Sequence, residues 1–303
     1  MTTIKRILCP VESSEASQHA FEHALAMARW YQASVSALHV YLPSIAADFT
    51  RHPSDDQRLD VVRTRFRADL AAWAGPPGAD AIEVEVRFGA GPPVQEILDV
   101  AASWPADLIV MGTHGASGFE HLVLGSVTEK VLRKAACPVM TVPPRVHATS
   151  ALPFKQILCV SDFSATSLAA LEQALSLAEE SGAGLTLLHV IEWPWDEPPA
   201  PLLEELPPEQ ANALGAFRQR LTRSSLERLE RLVPAAVRDR GRIVPKVAHG
   251  KSYQAILRVA AEDHADLIVM GVHGRNAVDL TLFGSTTNQV VRRATCPVLT
   301  LRR

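Results

Sequence analysis

The sequence predicts two tandem α/β domains, each built on a doubly wound, five-stranded and mostly parallel β-sheet. The first reason is length, because 303 residues correspond to two domains of about 150 residues each. The second is an internal repeat: "RILCPVESSEAS" at 6–17 returns as "QILCVSDFSATS" at 156–167, and "ADLIVMG" at 106–112 returns at 265–271. The third is the alternation of fully apolar runs with helical patterns, which is typical of open parallel sheets covered on both faces.

The elements of the first copy follow from these patterns in order. The apolar run "RILCPV" ends in "ESSEAS", whose Ser or Glu side chains can cap the following helix. "IEVEVRF" alternates apolar and charged residues strictly, as a half-exposed edge strand does. The full predicted order is strand "RILCPV", a helix through Ala20 and Ala28, strand "SVSALHV", a helix through Leu59 and Trp73, strand "IEVEVRF", a helix near 94–103, strand "DLIVMG", a helix from about 126 to 136, and strand "CPVMTV".

The boundary between the copies lies in "VPPRVHATSALPF" at 142–154, because its prolines and small polar residues cannot continue a strand or a helix. We therefore predict a first domain at 1–146 and a second at 147–303. The spacing between the copies grows from 150 residues at their first strands to 159 at "ADLIVMG". The extra residues of the second copy fit the Pro-rich stretch "EWPWDEPPAPLLEELPP" at 192–208.

Composition excludes several classes of protein. A net charge of −3 and a pI near 6.4 supply no broad basic field for nucleic acid. No apolar run approaches the roughly 20 residues that cross a bilayer, and "MTTIKRILCPV" leaves no room for a secretory signal. We therefore expect a cytoplasmic protein with no nucleic-acid or membrane partner. The four cysteines stand far apart within apolar runs, which indicates buried free thiols: Cys9, Cys137, Cys159 and Cys296.

A glycine pattern, G-x-x-G-x(9)-G-S, follows the "IVMG" strand of each copy. Its residues are Gly112, Gly115, Gly125 and Ser126 in the first copy, and Gly271, Gly274, Gly284 and Ser285 in the second. Glycine permits a sharp turn and close backbone approach to a ligand. The final Gly-Ser opens a helix whose free N–H groups and dipole suit a phosphate. Such glycines can also serve only as turns, but retention of every one in both copies favours anion binding at the carboxyl ends of the strands.

These residues resemble the universal stress protein family in its tandem two-domain form. The resemblance rests on the glycine pattern after "IVMG", the initial "ILCPVESSEAS" and the terminal "CPV" strand, and it covers nearly the whole chain. It implies a Rossmann-like fold that binds adenine nucleotide, specifically the ATP-binding branch of the family. The chain lacks a P-loop lysine, so backbone N–H groups, hydroxyls and Mg²⁺ would meet the charge of a triphosphate.

The resemblance also implies particular contacts. In the first copy the phosphates would lie on Gly115, Gly125, Ser126 and Val127, and adenosine on Pro10, Glu12, Val40, Met111 and Gly112. In the second copy the phosphates would lie on Gly274, Gly284, Ser285 and Thr286, and adenosine on Val160, Asp162, Val190, Met270 and Gly271. Two positions depart from the family pattern. The usual aspartate is Glu12 in the first copy but Asp162 in the second, and the preceding proline is Pro10 in the first but Val160 in the second. Glu12 can reach the nucleoside or crowd it, so we expect the second site to be the more secure.

Several histidines and one arginine-rich stretch can be interpreted as structural features. His114 and His273, between the motif glycines, suit either a phosphate contact or a plain loop position. His39 and His189 lie in "LHV" strands, which favours a core role. His19 and His23 stand four apart on the first helix, where a solvated face is favoured over metal binding. The arginine-rich stretch 218–242 has leucines at helical intervals, which predicts an amphipathic surface helix.

Three functions remain open from the sequence. The leading hypothesis is a cytoplasmic, ATP-binding stress-response regulator with two pseudo-equivalent sites and an unknown protein partner. The second is slow ATP hydrolysis, for which Glu12, Asp162, His114 and His273 are the candidates to position water. The third is an interaction module with vestigial sites whose Pro-rich 192–208 segment docks a partner. The resemblance implies that the "CPV" strands pair the two domains about a twofold axis within the chain, and two chains can pair again as a homodimer.

Overall fold

The structure is a computed structural model that describes residues 4–42, 53–75, 82–113, 124–144, 153–192, 207–234, 242–272 and 284–302. The predicted domain boundary at 146/147 lies outside the described residues. So do the motif loops at 114–123 and 273–283 and most of the Pro-rich stretch, 193–206.

Ten strands form one continuous sheet. They are β1 Arg6–Pro10, β2 Ser34–Tyr41, β3 Val84–Ala90, β4 Leu108–Gly112, β5 Val139–Val142, β6 Gln156–Val160, β7 Gly184–Ile191, β8 Ile243–His249, β9 Leu267–Gly271 and β10 Val298–Leu301. Their order is β3-β2-β1-β4-β5-β10-β9-β6-β7-β8. The strands within each half are parallel, and the halves join where β5 pairs antiparallel with β10. Two doubly wound five-stranded sheets joined by their last strands confirm the predicted fold and the intrachain pairing of the "CPV" strands.

The described helices cover both faces of this sheet. They are α1 Glu15–Tyr31, α2 Pro53–Ala74, α3 Pro93–Ser103, α4 Ser126–Lys134, α5 Ala165–Ser181, α6 Pro208–Leu232, α7 Ser252–Glu262 and α8 Ser285–Arg293. One apolar core lies under α1, α2, α5 and α6, and the other under α3, α4, α7 and α8. Among the described helices, none has the length and apolarity to span a membrane.

Local interactions explain where the first helix of each half begins and ends. The side chains of Ser14 and Ser164 cap α1 and α5 by accepting from the backbone N–H of Ser17 and Ser167. Both helices end in a left-handed residue, which is Gln32 in one half and Gly182 in the other. The serines predicted from "ESSEAS" therefore do begin the helix.

An aspartate fixes the start of the first strand in each half. Asp107 Oδ2 accepts from the backbone N–H groups of Lys5 and Arg6, both at 2.9 Å. Asp266 accepts in the same way from Lys155 at 2.7 Å and Gln156 at 3.2 Å. These charge-assisted bonds hold β1 beside β4 and β6 beside β9.

Both cores run across the junction between the halves. Phe21 of α1 and Leu301 of β10 belong to one core, and Val139 of β5 and Val298 of β10 belong to the other. The Trp30 ring at the end of α1 packs edge-on against Phe154, at the start of the second half, with centroids 5.8 Å apart. The halves therefore share buried apolar surface as well as strand pairing.

The sequence prediction for His19 and His23 is wrong. His19 is 8% exposed and His23 is fully buried. His23 lies four residues after His19 and seven before Trp30 on one face of α1, and the Trp30 ring contacts Phe154 of the second half. A polar pair predicted to form a solvated face is therefore buried. Burial and the neighbouring His19 lower the pKa of His23 from 6.5 to about 4.

The other structural expectations agree with the fold in part, because the helix predicted over 218–242 ends at Leu232 and Cys137 is less buried than predicted. Strand β3 lies at an edge of the sheet, and 218–232 is helical as part of α6. Cys9, Cys159 and Cys296 are buried free thiols and Cys137 is half-buried. Burial raises the pKa of Cys137 to about 11 and that of Cys296 to about 12, so these thiols stay protonated near neutral pH.

Candidate functional site at the carboxyl ends of the strands

The predicted adenosine contacts come together at one edge of the sheet in each half. In the first half Pro10 ends β1 in register with Leu38, and Gly112 ends β4 in register with Val142. Val11, just beyond β1, donates its backbone N–H to Leu38 O at 2.8 Å. The strands that carry Val40 and Met111 therefore end beside the same loop.

The second half repeats this arrangement. Val160 ends β6 in register with Leu188, and Gly271 ends β9 in register with Leu301. Ser161 N–H donates to Leu188 O at 2.8 Å, which matches the bond made by Val11. Met111 and Met270 belong to the core on the α3, α4, α7 and α8 face, and Val40 and Val190 pack against that core. The predicted adenosine contacts of both halves therefore point to the same face of the sheet.

Hydrogen bonds tie the start of α4 to the end of β4. Gly125 is the N-cap of α4 and donates its backbone N–H to Thr113 O at 2.9 Å. Thr128, in the first turn of α4, donates its hydroxyl to Gly112 O, also at 2.9 Å. The exposed Ser126 begins the helix. The N-terminus of α4 is thus held at the end of the strand that carries the predicted adenosine contacts.

The start of α8 has the same connections. Gly284 is its N-cap and donates to Val272 O at 3.1 Å, and Thr287 donates its hydroxyl to Gly271 O at 3.0 Å. No side-chain capping bond is made by the glycine N-cap of either helix. The first-turn N–H groups and the helix dipole therefore suit an anion at both ends.

The structure changes the reason for two of the motif glycines. A Cβ on Gly112 would lie 3.0 Å from Ala16 O, and one on Gly271 would lie 3.0 Å from Thr166 Oγ1. Neither glycine has a positive φ. The first turns of α1 and α5 therefore leave little room for a side chain at these glycines, and the chain does not use a left-handed backbone at either one. Gly284 is confined by the backbone that follows β9, because its Cβ would lie 2.8 Å from Val272 O.

The carboxylates at the first strand ends are held differently in the two halves. Asp162 Oδ1 accepts from the Ser164 hydroxyl at 2.6 Å and from the Ser164 backbone N–H at 3.0 Å. Glu12 Oε1 accepts from the Ser14 hydroxyl at 3.2 Å. Both carboxylates therefore accept from the N-cap serine of the following helix, with shorter bonds at the aspartate, and the glutamate has one more rotatable bond.

His39 and His189 position the strand-end loops. His39 Nδ1 lies 2.9 Å from Val11 O, and His189 Nδ1 lies 2.8 Å from Ser161 O. Because a carbonyl only accepts, each ring donates from Nδ1. The expected structural role of this pair is consistent with these bonds, which anchor the residue that precedes Glu12 or Asp162.

The predicted site residues divide into those that the structure describes and those that it does not. Gly115 and Gly274, with His114 and His273 beside them, lie outside the described residues. The others lie at strand ends, in the loops that follow them or at helix starts: Pro10, Glu12, Val40, Met111, Gly112, Gly125, Ser126 and Val127 in the first half, and Val160, Asp162, Val190, Met270, Gly271, Gly284, Ser285 and Thr286 in the second. Within the described part of the chain, no three His, Cys, Asp or Glu side chains gather into a metal site.

Sequence reasoning missed several residues that build the site. Thr128 and Thr287 join the start of a helix to the end of a strand. The repeat could have revealed them, because each lies two residues after the motif serine of its copy. Phe163 lies in the loop between β6 and α5, and the Arg228 guanidinium of α6 lies 4.0 Å from the centroid of its ring. No repeat signal marks Phe163, because Ser13 occupies its position in the first copy.

The fold and the paired strand ends define a tandem α/β protein with two Rossmann-like domains. The sequence model described as the Universal stress protein family matches residues 3–143 and again 153–302. The chain belongs to the universal stress protein family, and it carries two family domains.

Known relatives have both one-domain and two-domain forms. A universal stress protein of Mycolicibacterium smegmatis is 27% identical over 98% of this chain and 96% of its own length. One from Thermus aquaticus is 34% identical over 46% of this chain and 98% of its own length. The crystal structure of a universal stress protein from Archaeoglobus fulgidus DSM 4304 is similar with a TM-score of 0.68, at 26% identity and 98% coverage of both chains.

Proposed function

We propose that this protein binds ATP with Mg²⁺ at two pseudo-equivalent sites and acts in the cytoplasm as a stress-response regulator whose partner contacts depend on occupancy. The observation that carries the proposal is the shared frame of hydrogen bonds at Gly125, Thr128, Gly284 and Thr287. Both copies of the repeat keep the same helix start, with a glycine N-cap, against the end of the corresponding strand, and such a helix start favours phosphate binding.

The residues present fit a nucleotide in chemistry as well as in placement. The Ser126 and Ser285 hydroxyls and the first-turn N–H groups supply donors, and phosphate oxygens only accept. Val40, Met111 and their counterparts Val190 and Met270 supply apolar surface for a base. Mg²⁺ would come with the phosphates, since this ion usually keeps few protein ligands.

In this proposal the chain's own groups bind and orient the nucleotide. The helix starts hold the phosphates, and the carboxylates of Glu12 and Asp162 accept from ribose hydroxyls. His39 and His189 fix the loops that carry those carboxylates. ATP supplies the charge and bulk that an occupied site presents to a protein partner.

The test is the nucleotide content of the freshly purified full chain, released by denaturation, separated by chromatography and counted per chain. Two ATP per chain are expected. Ser126→Glu and Ser285→Glu should each remove one, because a carboxylate favours the helix N-terminus but repels phosphate. Ser126→Gln and Ser285→Gln are neutral controls of the same length and should retain much more nucleotide.

Two outcomes overturn the proposal. One is a wild-type chain that carries no nucleotide and binds none when Mg-ATP is added. The other is a Ser126→Glu, Ser285→Glu double variant that keeps the wild-type content. Either result would leave an interaction module with vestigial sites. ADP produced only with Mg²⁺, and lost in Asp162→Asn at unchanged ATP affinity, would instead indicate the slow ATPase.

A further inference from the structure

The two halves differ beneath their strand-end loops. In the first half the Phe66 ring packs on the His39 ring with centroids 4.8 Å apart, and on the Phe88 ring at 5.6 Å. Phe66 is buried. Its ring therefore fills the space between α2 and the end of β2.

The second half has a serine at the position of Phe66. Leu70 of α2 and Leu229 of α6 are both buried. The number of residues between Leu70 and the start of β3 equals the number between Leu229 and the start of β8. This register aligns Phe66 with Ser225. An open pocket of about 270 Å³ lies there, between α6 and the end of β7. It occupies the space that an aromatic ring fills in the first half.

The pocket is lined by both apolar and polar groups. Its lining includes the buried His189 and the exposed Glu192. The pocket lies on the face of the sheet that α5 and α6 cover. Of the predicted adenosine contacts, only Val190 is among its lining residues. The side chains that would meet a ligand are Phe163, Ile191, Leu221, Ser224, Ser225 and Arg228.

Phe163 adopts an unusual backbone conformation beside this pocket. Its φ is 66°, a left-handed value that is rare for a bulky residue and is retained where the surroundings require it. Its ring lies 4.5 Å from the His189 ring and beneath the Arg228 guanidinium. The strained loop thus holds an aromatic wall and a cation together at the pocket.

Arg228 supplies a positive charge at the pocket. The structure places no described carboxylate within 4.0 Å of the Arg228 guanidinium, which contacts the Phe163 ring instead. The Glu192 carboxylate accepts from the Ser252 backbone N–H at 3.3 Å and from the Ser252 hydroxyl at 3.1 Å, so it is directed toward the start of α7. Ser224 and Ser225 add hydroxyl donors.

We propose that this pocket is a second ligand site, present in the second half, for a small organic anion with a planar apolar body. The anionic group pairs with Arg228, and the body lies among Phe163, Ile191 and Leu221. Nucleotide binding at the strand ends is not required for this site, so the two proposals can be tested separately.

The probe is sodium benzoate, titrated calorimetrically into the full chain. Saturable binding in the millimolar range or tighter is expected. Benzyl alcohol has the ring without the charge, and inorganic phosphate has the charge without the ring. Phosphate is titrated into the Ser126→Glu, Ser285→Glu chain, so that the proposed phosphate sites at the helix starts do not contribute. Each compound should bind at least about tenfold more weakly than benzoate.

Two variants locate the binding. Ser225→Phe introduces a ring at the position that Phe66 occupies in the first half, and it should abolish the heat of benzoate binding. Arg228→Gln should weaken benzoate about tenfold. Arg231→Gln is the matched control and should leave benzoate affinity unchanged, because Arg231 is exposed and donates to Glu227 O within its own helix.

Absence of saturable benzoate binding to the wild-type chain overturns the proposal. So does wild-type affinity in Arg228→Gln. Phosphate binding as tight as benzoate binding would contradict the proposal that the ligand has a planar apolar body. Thermal melts check that Ser225→Phe is folded, and if it is not, Arg228→Gln with its Arg231→Gln control decides the result.

Discussion

Met140 of the first half lies directly opposite Leu299 of the second half in the antiparallel pair of β5 and β10. Both side chains are buried and belong to the core under α1 and α5. On the same pair, the Thr141 hydroxyl donates to Val298 O at 3.3 Å and the Thr300 hydroxyl donates to Val139 O at 3.1 Å. The junction is therefore part of both cores and of the sheet.

Leu299→Ala should lower the free energy of unfolding by about 3 kcal/mol, because it leaves a cavity at a fully packed site. Urea denaturation measures the change. Val244→Ala on the edge strand β8, where the side chain is 56% exposed, is the control and should shift stability by no more than about 0.5 kcal/mol. Equal effects from the two variants would contradict a packed junction between the halves.

His23 should make stability depend on pH. Its pKa is lowered in the folded chain from 6.5 to about 4 by burial and by His19, so between these values the unfolded chain binds a proton that the folded chain does not. The free energy of unfolding therefore has its full value with respect to His23 above pH 6.5, and it decreases as the pH falls toward 4. The loss amounts to about 3 kcal/mol over that range.

The control variant for this prediction is His23→Gln, because Gln173 occupies the matching buried position on α5. Urea melts of wild type and variant at several pH values should diverge only below pH 6.5, with the wild-type chain losing more stability. Parallel curves would show that His23 does not titrate with folding.

The repeat made the fold predictable, whereas the contacts between its copies were not. Strand order and the strand-end site follow from local patterns that appear twice, such as "ADLIVMG" and the Gly-Ser helix start. The burial of His23 depends on what packs against that face of α1, and the sequence of one helix does not record it.

The second strand-end loop was unpredictable for a related reason. Phe163 has a left-handed φ and packs under Arg228, which lies 65 residues further along the chain. No local pattern predicts a pairing over that separation. The packing role of Gly112 was missed in the same way, because the neighbour that requires it is Ala16 O, on a different element.

Gly284→Ala should destabilise the chain by about 1–3 kcal/mol, because the new Cβ would lie 2.8 Å from the Val272 carbonyl oxygen. Gly215→Ala is a control with the opposite expected sign. Gly215 lies within α6, and a Cβ there would meet no other described part of the chain within 4 Å, so alanine should stabilise by about 1 kcal/mol. Thermal melts of both variants measure the difference, and a stabilising Gly284→Ala would contradict the confined helix start.

If the strand ends bind ATP, the first site should be the weaker one, and Glu12→Asp should strengthen it. Asp162 is held at 2.6 Å by the Ser164 hydroxyl and at 3.0 Å by its backbone N–H, whereas Glu12 accepts from the Ser14 hydroxyl at a longer 3.2 Å. Ordering a looser side chain on binding costs about 0.5–1.5 kcal/mol. Glu12→Asp should therefore raise ATP affinity of the first site about two- to tenfold.

The measurement is calorimetric titration of Mg-ATP into nucleotide-free protein, with Ser285→Glu present so that only the first site contributes. Asp162→Glu in a Ser126→Glu background is the reciprocal variant and should weaken the second site by a similar factor, because it replaces a held carboxylate with a looser one. Glu12→Asp that weakens ATP would show that the longer side chain reaches the nucleoside and that the two halves recognise it by different geometry.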